Sequence, residues 1–213
     1  MKGFIGARQT TLASEISLTG TGVHSGAPVS IVLCPADGDT GLRFLLSNGD
    51  ADGTEIAADQ RWVTGVTLCT VLGDGNGAQI ATVEHLLAAL RGLGVDNALI
   101  EIDSSEVPIM DGSAARFVEA IDEVGLAELE TPRRFLKVLK PVRVEDAGAV
   151  GELTPYNGFH LDVQIDFETS LIGSQRIEID VNPGSFRREL SRARTFGFMK
   201  DVCLLYTSPS PRD

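Results

Sequence analysis

The chain has 213 residues, 43% hydrophobic and 23% charged, enough apolar content to bury the core of one large or two small domains and too much for a disordered polymer. Acidic residues outnumber basic ones by 30 to 18, and the resulting charge of -12 argues against a nucleic-acid partner, whose phosphates need clustered Lys and Arg, and disfavours adhesion to anionic lipid. The cysteines Cys34, Cys69 and Cys203 form no CxxC pair or disulfide framework. The opening MKGFIGARQT lacks the apolar run of a signal peptide, and no stretch approaches the ~20 apolar residues of a membrane span, so a soluble cytoplasmic protein is expected.

In chain order, VSIVLC (29–34), GLRFLL (41–46) and VTLCTVL (66–72) read as strands, separated by the turn clusters PADGDTG and SNGDADG. A helix follows, with Thr82 as its expected N-cap, Val83, Leu86, Leu87 and Leu90 as one apolar stripe, and RGLG closing it. NALIEI (97–102) is the next strand. A second helix opens at DGSA with Ser113 as cap, burying Phe117, Val118, Ile121 and Val124 and exposing Glu119, Asp122 and Glu123. The charged, proline-bearing ETPRR (130–134) is the expected domain joint. Beyond it FLKVLKPVRVE, AVGEL, FHLDVQIDF and SQRIEIDV read as strands, and PGSFRREL as a short helix entering SRARTFGFM. VSIVLCPADGDTGLRFLL and AVGELTPYNGFHLDVQIDF share the scheme strand, proline, polar turn, strand, as a duplicated α+β unit would.

Several residues could carry chemistry. Glu84 and His85 stand side by side in the first turn of the first helix, where the helix dipole favours the anion and keeps the imidazole neutral. Neutral imidazole binds zinc, and a neighbouring carboxylate can take a proton from metal-bound water. Capping electrostatics and a surface histidine account for the same two residues equally simply. Neither His85, His24 nor His160 begins an HExxH or His-x-x-x-Asp pair, so a metal site built from this chain is incomplete. His24 in GTGVHSG and Asp111-Gly112-Ser113 in PIMDGSA are explained by tight turns. Thr195, flanked by Arg192 and Arg194, could donate to an oxyanion, while the arginines could hold a phosphate or pair with carboxylates.

Taken together, GTGVHSG, TLCT, ATVEHLLAALRGLGVDN, VPIMDGSAARFV, PYNGF and SRARTFGFM, in this order and spacing, closely resemble the zinc-dependent UDP-3-O-acyl-N-acetylglucosamine deacetylases of Gram-negative bacteria, which catalyse the committed step of lipid A synthesis. The resemblance covers about residues 4 to 202. It implies an α+β protein of two related two-layer sheet/helix sandwich domains: domain I over 1–131, and an incomplete domain II over 132–202. It further implies a UDP-sugar lipid substrate and Zn2+, with His85 as a zinc ligand and Glu84 as the base that deprotonates the attacking water. By the same resemblance Thr195 stabilises the tetrahedral oxyanion, and Leu68, Cys69 and Phe196 line the substrate site. The family's remaining zinc ligands, an His-x-x-x-Asp pair, have no counterpart here, nor has the histidine that protonates the leaving amine. The tail CLLYTSPSPRD (203–213) resembles translated sequencing adapter and is expected to be non-native. The fragment is therefore expected to be inactive. The alternatives are a non-catalytic sugar-nucleotide- or lipid-binding module, and the N-terminal part of a fused bifunctional deacetylase/dehydratase.

Overall fold

A computed structural model describes residues 6–47, 53–73, 77–169 and 171–197. The tail 203–213, with Cys203, and most of the turn at 47–53 lie outside the described residues. Strands β1 (Arg8–Leu12), β2 (Ile16–Thr21), β3 (Pro28–Pro35), β4 (Leu42–Leu46) and β5 (Thr54–Ala57) open the chain. Short strands β6 (Val63–Gly65), β7 (Val71–Gly73) and β8 (Gln79–Ala81) lead into helix α1 (Glu84–Leu93), strand β9 (Ala98–Ile102), helix α2 (Ala115–Val124) and strand β10 (Leu126–Pro132). Strands β11 (Val142–Asp146), β12 (Ala149–Leu153), β13 (His160–Asp166) and β14 (Ser174–Asp180) follow. The short helix α3 (Pro183–Ser185) then runs into a π-helical turn, Phe186–Leu190.

The fold is α+β, and its centre is a five-stranded sheet of order β2-β3-β9-β4-β5. Period-two alternation sends Val29, Ile31 and Leu33 of β3, Leu42, Phe44 and Leu46 of β4, and Ala98, Ile100 and Ile102 of β9 to one buried face. Leu33, Ile100 and Phe44 lie in register across three strands and are all fully buried. Each such side chain contributes about 1.5–3 kcal/mol of burial. Leu86, Ala89, Leu90 and Leu93 of α1 and Phe117, Val118 and Ile121 of α2 pack into the same cluster, which makes a two-layer sandwich. The apolar stripes of both helices fall where their spacing predicts, and Gly94, at φ 92°, closes α1.

The structure corrects the sequence reading at three places in the first sandwich besides the α2 cap, and beyond it FLKVLKPVRVE is strand only from Val142. The run 66–72 is not one strand: β6 ends at Gly65 and β7 begins at Val71, so the two form a hairpin with 66–70 as its loop. A short apolar run cannot by itself distinguish a strand from a hairpin tip. Second, the stretch between α2 and Arg133 is a strand that the sequence reading did not place. Residues 126–132 form β10 against β1, and Arg133, whose side chain is only 7% exposed, bonds Asp96 Oδ2 at 2.6 Å and the carbonyls of Gly6 and Gly94 at 2.7 and 3.2 Å. Third, Thr82 does not cap α1, which begins at Glu84 with no side-chain cap.

Beyond Arg134 the described strands pair as two separate hairpins, β11–β12 and β13–β14. Val142, Val144, Val150, Leu153, Val163, Ile165 and Ile177 are exposed on them. The echo between the two halves has a topological side. β3 and β4 do not pair with each other, because β9 lies between them, and β12 and β13 likewise pair only with their hairpin partners. The short helical segment after β14 packs on α1 of the first sandwich instead of covering the hairpins.

Candidate active site

The site is built around the start of α1. β8 ends at Ala81, and the buried Thr82 turns the chain at φ 59° before the helix begins. The Thr82 hydroxyl donates to Glu106 Oε1 at 3.1 Å, and the residue lies one position before Val83, which precedes the helix, so it is not placed to cap it. Glu84 is the first helical residue, where its negative charge meets the positive end of the dipole. Its Oε1 accepts a short hydrogen bond from the backbone N–H of Thr70. Its Oε2 is buried and has no hydrogen-bond partner. A buried carboxylate oxygen without a donor is costly unless a water, proton or cation completes it. His85, half-buried, is the next residue.

The 66–70 loop supplies the facing wall. Leu68 sits at its tip with φ 61° and 62% exposure, a conformation that costs an apolar L-residue energy and presents its side chain to solvent. Cys69 is half-buried with a free thiol. Because Thr70 reaches Glu84, the loop carrying Leu68 and Cys69 is tied directly to the helix start.

Thr195 and Phe196 arrive by another route. Asn182 caps α3 in a capping box with Ser185, and Phe186 buries its ring against α1 at Gly92. Arg187 pairs with Asp122 of α2 at 2.6 Å. The segment ends against the 111–113 turn: Arg194 Nε donates to the Asp111 carbonyl at 2.8 Å, and the Thr195 N–H donates to the Gly112 carbonyl at 2.9 Å. Gly112 has φ 82°, which this turn requires. Ser113 is not the N-cap of α2, which is Ala114 without a side-chain cap; it stands one residue earlier, its hydroxyl accepting the Ala115 N–H at 3.1 Å, and its own bond to Asp111 holds that carboxyl below the ordinary range. Thr195 is exposed, and Phe196 packs edge-on against Phe167 with ring centres 5.3 Å apart. The structure thus ties the loop that carries Leu68 and Cys69 to the helix start of Glu84 and His85 through Thr70, and seats Thr195 on the turn that precedes α2, with Phe196 against Phe167.

The sequence reading missed Glu106. It precedes Val107 and Pro108 in SSEVPIM, and a lone acid entering an apolar stretch was its only signal. A cleft of about 770 Å³ lies elsewhere, between the hairpins, lined by residues such as Ala149, Asp162, Gln164 and Arg176, none of which belongs to the candidate set. Among the described residues no group of three or more His, Cys, Asp and Glu side chains could hold a metal ion. No described helix is long and apolar enough to cross a membrane.

A sequence model of the UDP-3-O-acyl N-acetylglycosamine deacetylase family matches residues 9–209. UDP-3-O-acyl-N-acetylglucosamine deacetylases of Brucella ovis, Brucella canis and Brucella melitensis are each 48% identical to this chain over 202 residues. The alignments cover 95% of this chain and 70% of each relative. The residues at the start of α1 and the segment entering Thr195 lie within the matched span, and the chain belongs to the UDP-3-O-acyl N-acetylglycosamine deacetylase family of amide hydrolases.

Proposed function

We propose that the chain is part of a zinc-dependent, cytoplasmic deacetylase that hydrolyses the N-acetyl amide of UDP-3-O-acyl-N-acetylglucosamine in lipid A synthesis. The observation that carries this reading is the buried, unpartnered Oε2 of Glu84 beside His85, in a chain 48% identical to enzymes named for that reaction. Glu84 takes the proton of the attacking water. One oxygen of its carboxylate is fixed by Thr70, so the other points in a set direction without reorganising as charge develops. The Thr195 hydroxyl donates to the oxyanion of the tetrahedral intermediate, and Leu68, Cys69 and Phe196 line the substrate site. The limit between a first and a second domain falls near residue 131, where β10 ends.

His85 is the family's zinc-ligand position, but one imidazole falls short of the three protein ligands that catalytic zinc takes. The described donor set does not fit a complete metal site, so acetate release by this chain alone is expected to stay at background.

The test has two arms. Purified chain with added Zn2+ and UDP-3-O-acyl-N-acetylglucosamine is assayed for acetate release, and turnover above background would refute the incomplete-site reading. In a chain completed with the remaining 30% of a relative, Glu84→Ala should abolish turnover while retaining zinc. Turnover undiminished in that variant would remove Glu84 from the chemistry, and substrate binding without any turnover in the unmutated completed chain would favour a non-catalytic binding module.

A further inference from the structure

Behind the Glu84–His85 pair lies a second buried carboxylate. Glu106 is 2% exposed. Its Oε1 accepts the backbone N–H of His24 at 2.9 Å and the hydroxyl of Thr82 at 3.1 Å, and its Oε2 accepts the N–H of Ser25 at 2.9 Å. All of these donors are neutral. Burial pushes the carboxyl pKa up, but the Ser25, His24 and Thr82 donors outweigh that penalty and hold it below the ordinary value, so the group stays ionised. Space for it is made at Gly22, where a Cβ would lie 2.3 Å from Glu106 Oε2. The chain around Glu106 runs parallel to the end of β8: the Ala81 N–H donates to the Ser105 carbonyl at 2.8 Å, and the Val107 N–H to the Ala81 carbonyl at 3.0 Å.

Thr82 is the strained member of this assembly. A β-branched residue rarely adopts φ near +59°, and it keeps such a conformation only where its surroundings over-determine it. Two features do so here: burial of the side chain and the bond to Glu106. Thr82 stands two residues before Glu84, so its backbone angles set the direction in which α1 starts.

We propose that Glu106 is a positioning residue for the Glu84–His85 pair. Its carboxylate locks Thr82 in the left-handed conformation and ties the 22–25 loop to that lock, which aims the first turn of α1 so that Glu84 reaches the Thr70 N–H and leaves its other oxygen open. The inference rests on the reading of Glu84 and His85 as the working pair. A carboxylate that merely stabilised the 22–25 loop would need no bond to a residue held at positive φ.

The reporter is the Thr70 amide, followed by NMR hydrogen exchange and proton shift in the 15N-labelled chain, because it is bonded to Glu84 itself. Glu106→Gln is expected to speed Thr70 exchange by about tenfold or more and to move its amide resonance. Adding Thr82→Gly to that variant should restore Thr70 protection, since glycine takes the left-handed conformation without strain, while the 22–25 amides stay loosened. Should Glu106→Gln fail to fold, Thr82→Val replaces only the hydroxyl, by a methyl of similar size, and is expected to loosen Thr70 while leaving most of the 22–25 loop protected. An unchanged Thr70 amide in whichever of these variants folds, or no recovery on adding Thr82→Gly, overturns the proposal. None of these readouts uses turnover, so a failed deacetylase assay and a failed positioning role give different results.

Discussion

The ring of Phe186 occupies the space that a side chain would need at Gly92. A Cβ built there would lie 2.5 Å from the ring carbons, so the glycine in the last turn of α1 is the seat on which the 182–195 segment docks. Alanine normally stabilises a helix interior by about 1 kcal/mol over glycine, but here the overlap reverses the sign. Gly92→Ala should lower stability by about 1–2 kcal/mol in urea unfolding and speed exchange of the Thr195 amide, which depends on the same docking. A gain in stability would mean that the segment is not seated on α1.

Arg133 closes the first sandwich. Its guanidinium bonds Asp96 through two nitrogens and satisfies two backbone carbonyls while almost buried. Arg133→Ala takes the guanidinium from Asp96, which then keeps the Thr10 N–H and the more distant Arg91, and from the Gly6 and Gly94 carbonyls, and should cost about 3 kcal/mol, measured by chemical denaturation. Arg133→Lys should recover only part of this, because an ammonium cannot reproduce the planar fork. Full rescue by lysine would show that charge alone matters.

The β13–β14 hairpin is tuned to pH. His160 Nδ1 lies 2.8 Å from Asp180 Oδ1, and its pKa is raised first by that hydrogen bond and further by the charges of Asp180 and Glu178. Asp180 is lowered first by His160 and then by the Tyr156 hydroxyl. A raised histidine contributes fully below its ordinary pKa of 6.5, and its contribution is lost as pH rises through the raised value. A lowered aspartate contributes above 3.8, and its contribution is lost as pH falls through the lowered value. Amide protection across the hairpin should therefore be greatest between these two limits and decline on both sides. In His160→Asn the decline on the alkaline side should vanish, and its persistence would assign that decline to other groups.

Glu84→Gln keeps an acceptor for Thr70 and puts an amide NH2 where the orphaned oxygen lay, so the melting transition should stay within about 1 kcal/mol in free energy. In a completed protein the same change should slow amide hydrolysis by roughly 100-fold or more. A variant both less stable and fully active would contradict the reading of this carboxylate.

The parts of the fold legible in the sequence were those with a long apolar period. The stripe Val83-Leu86-Leu87-Leu90, the Phe117-Val118-Ile121 face and the strands at 29–34, 41–46, 97–102 and 160–166 all stand where spacing puts them. β10 was not legible, because LAELETP sets only Ala127, Leu129 and Thr131 on its half-buried side, buries none of them fully, and pairs with β1 alone. The break in 66–72 depends on a left-handed Leu68, and the missed cap on a left-handed Thr82; neither residue type announces that conformation. At the site, Glu84 and His85 could be singled out because they are adjacent, and the 66–70 loop and the Thr195 segment through the resemblance. Glu106 could not, because its donors come from 24 to 82 residues away and leave no local pattern.

The place of β9 between β3 and β4 has a consequence for how the protein is made. The other four strands of that sheet leave the ribosome by residue 57, whereas the strand that joins them ends at residue 102. At translation speeds of about 5–20 residues per second, the two β-hairpins wait roughly 2–9 s with their inner edges open before the closing strand emerges. Nascent chains stalled before β9 clears the exit tunnel should be protease-sensitive throughout, and resistance should arrive in one step once it does.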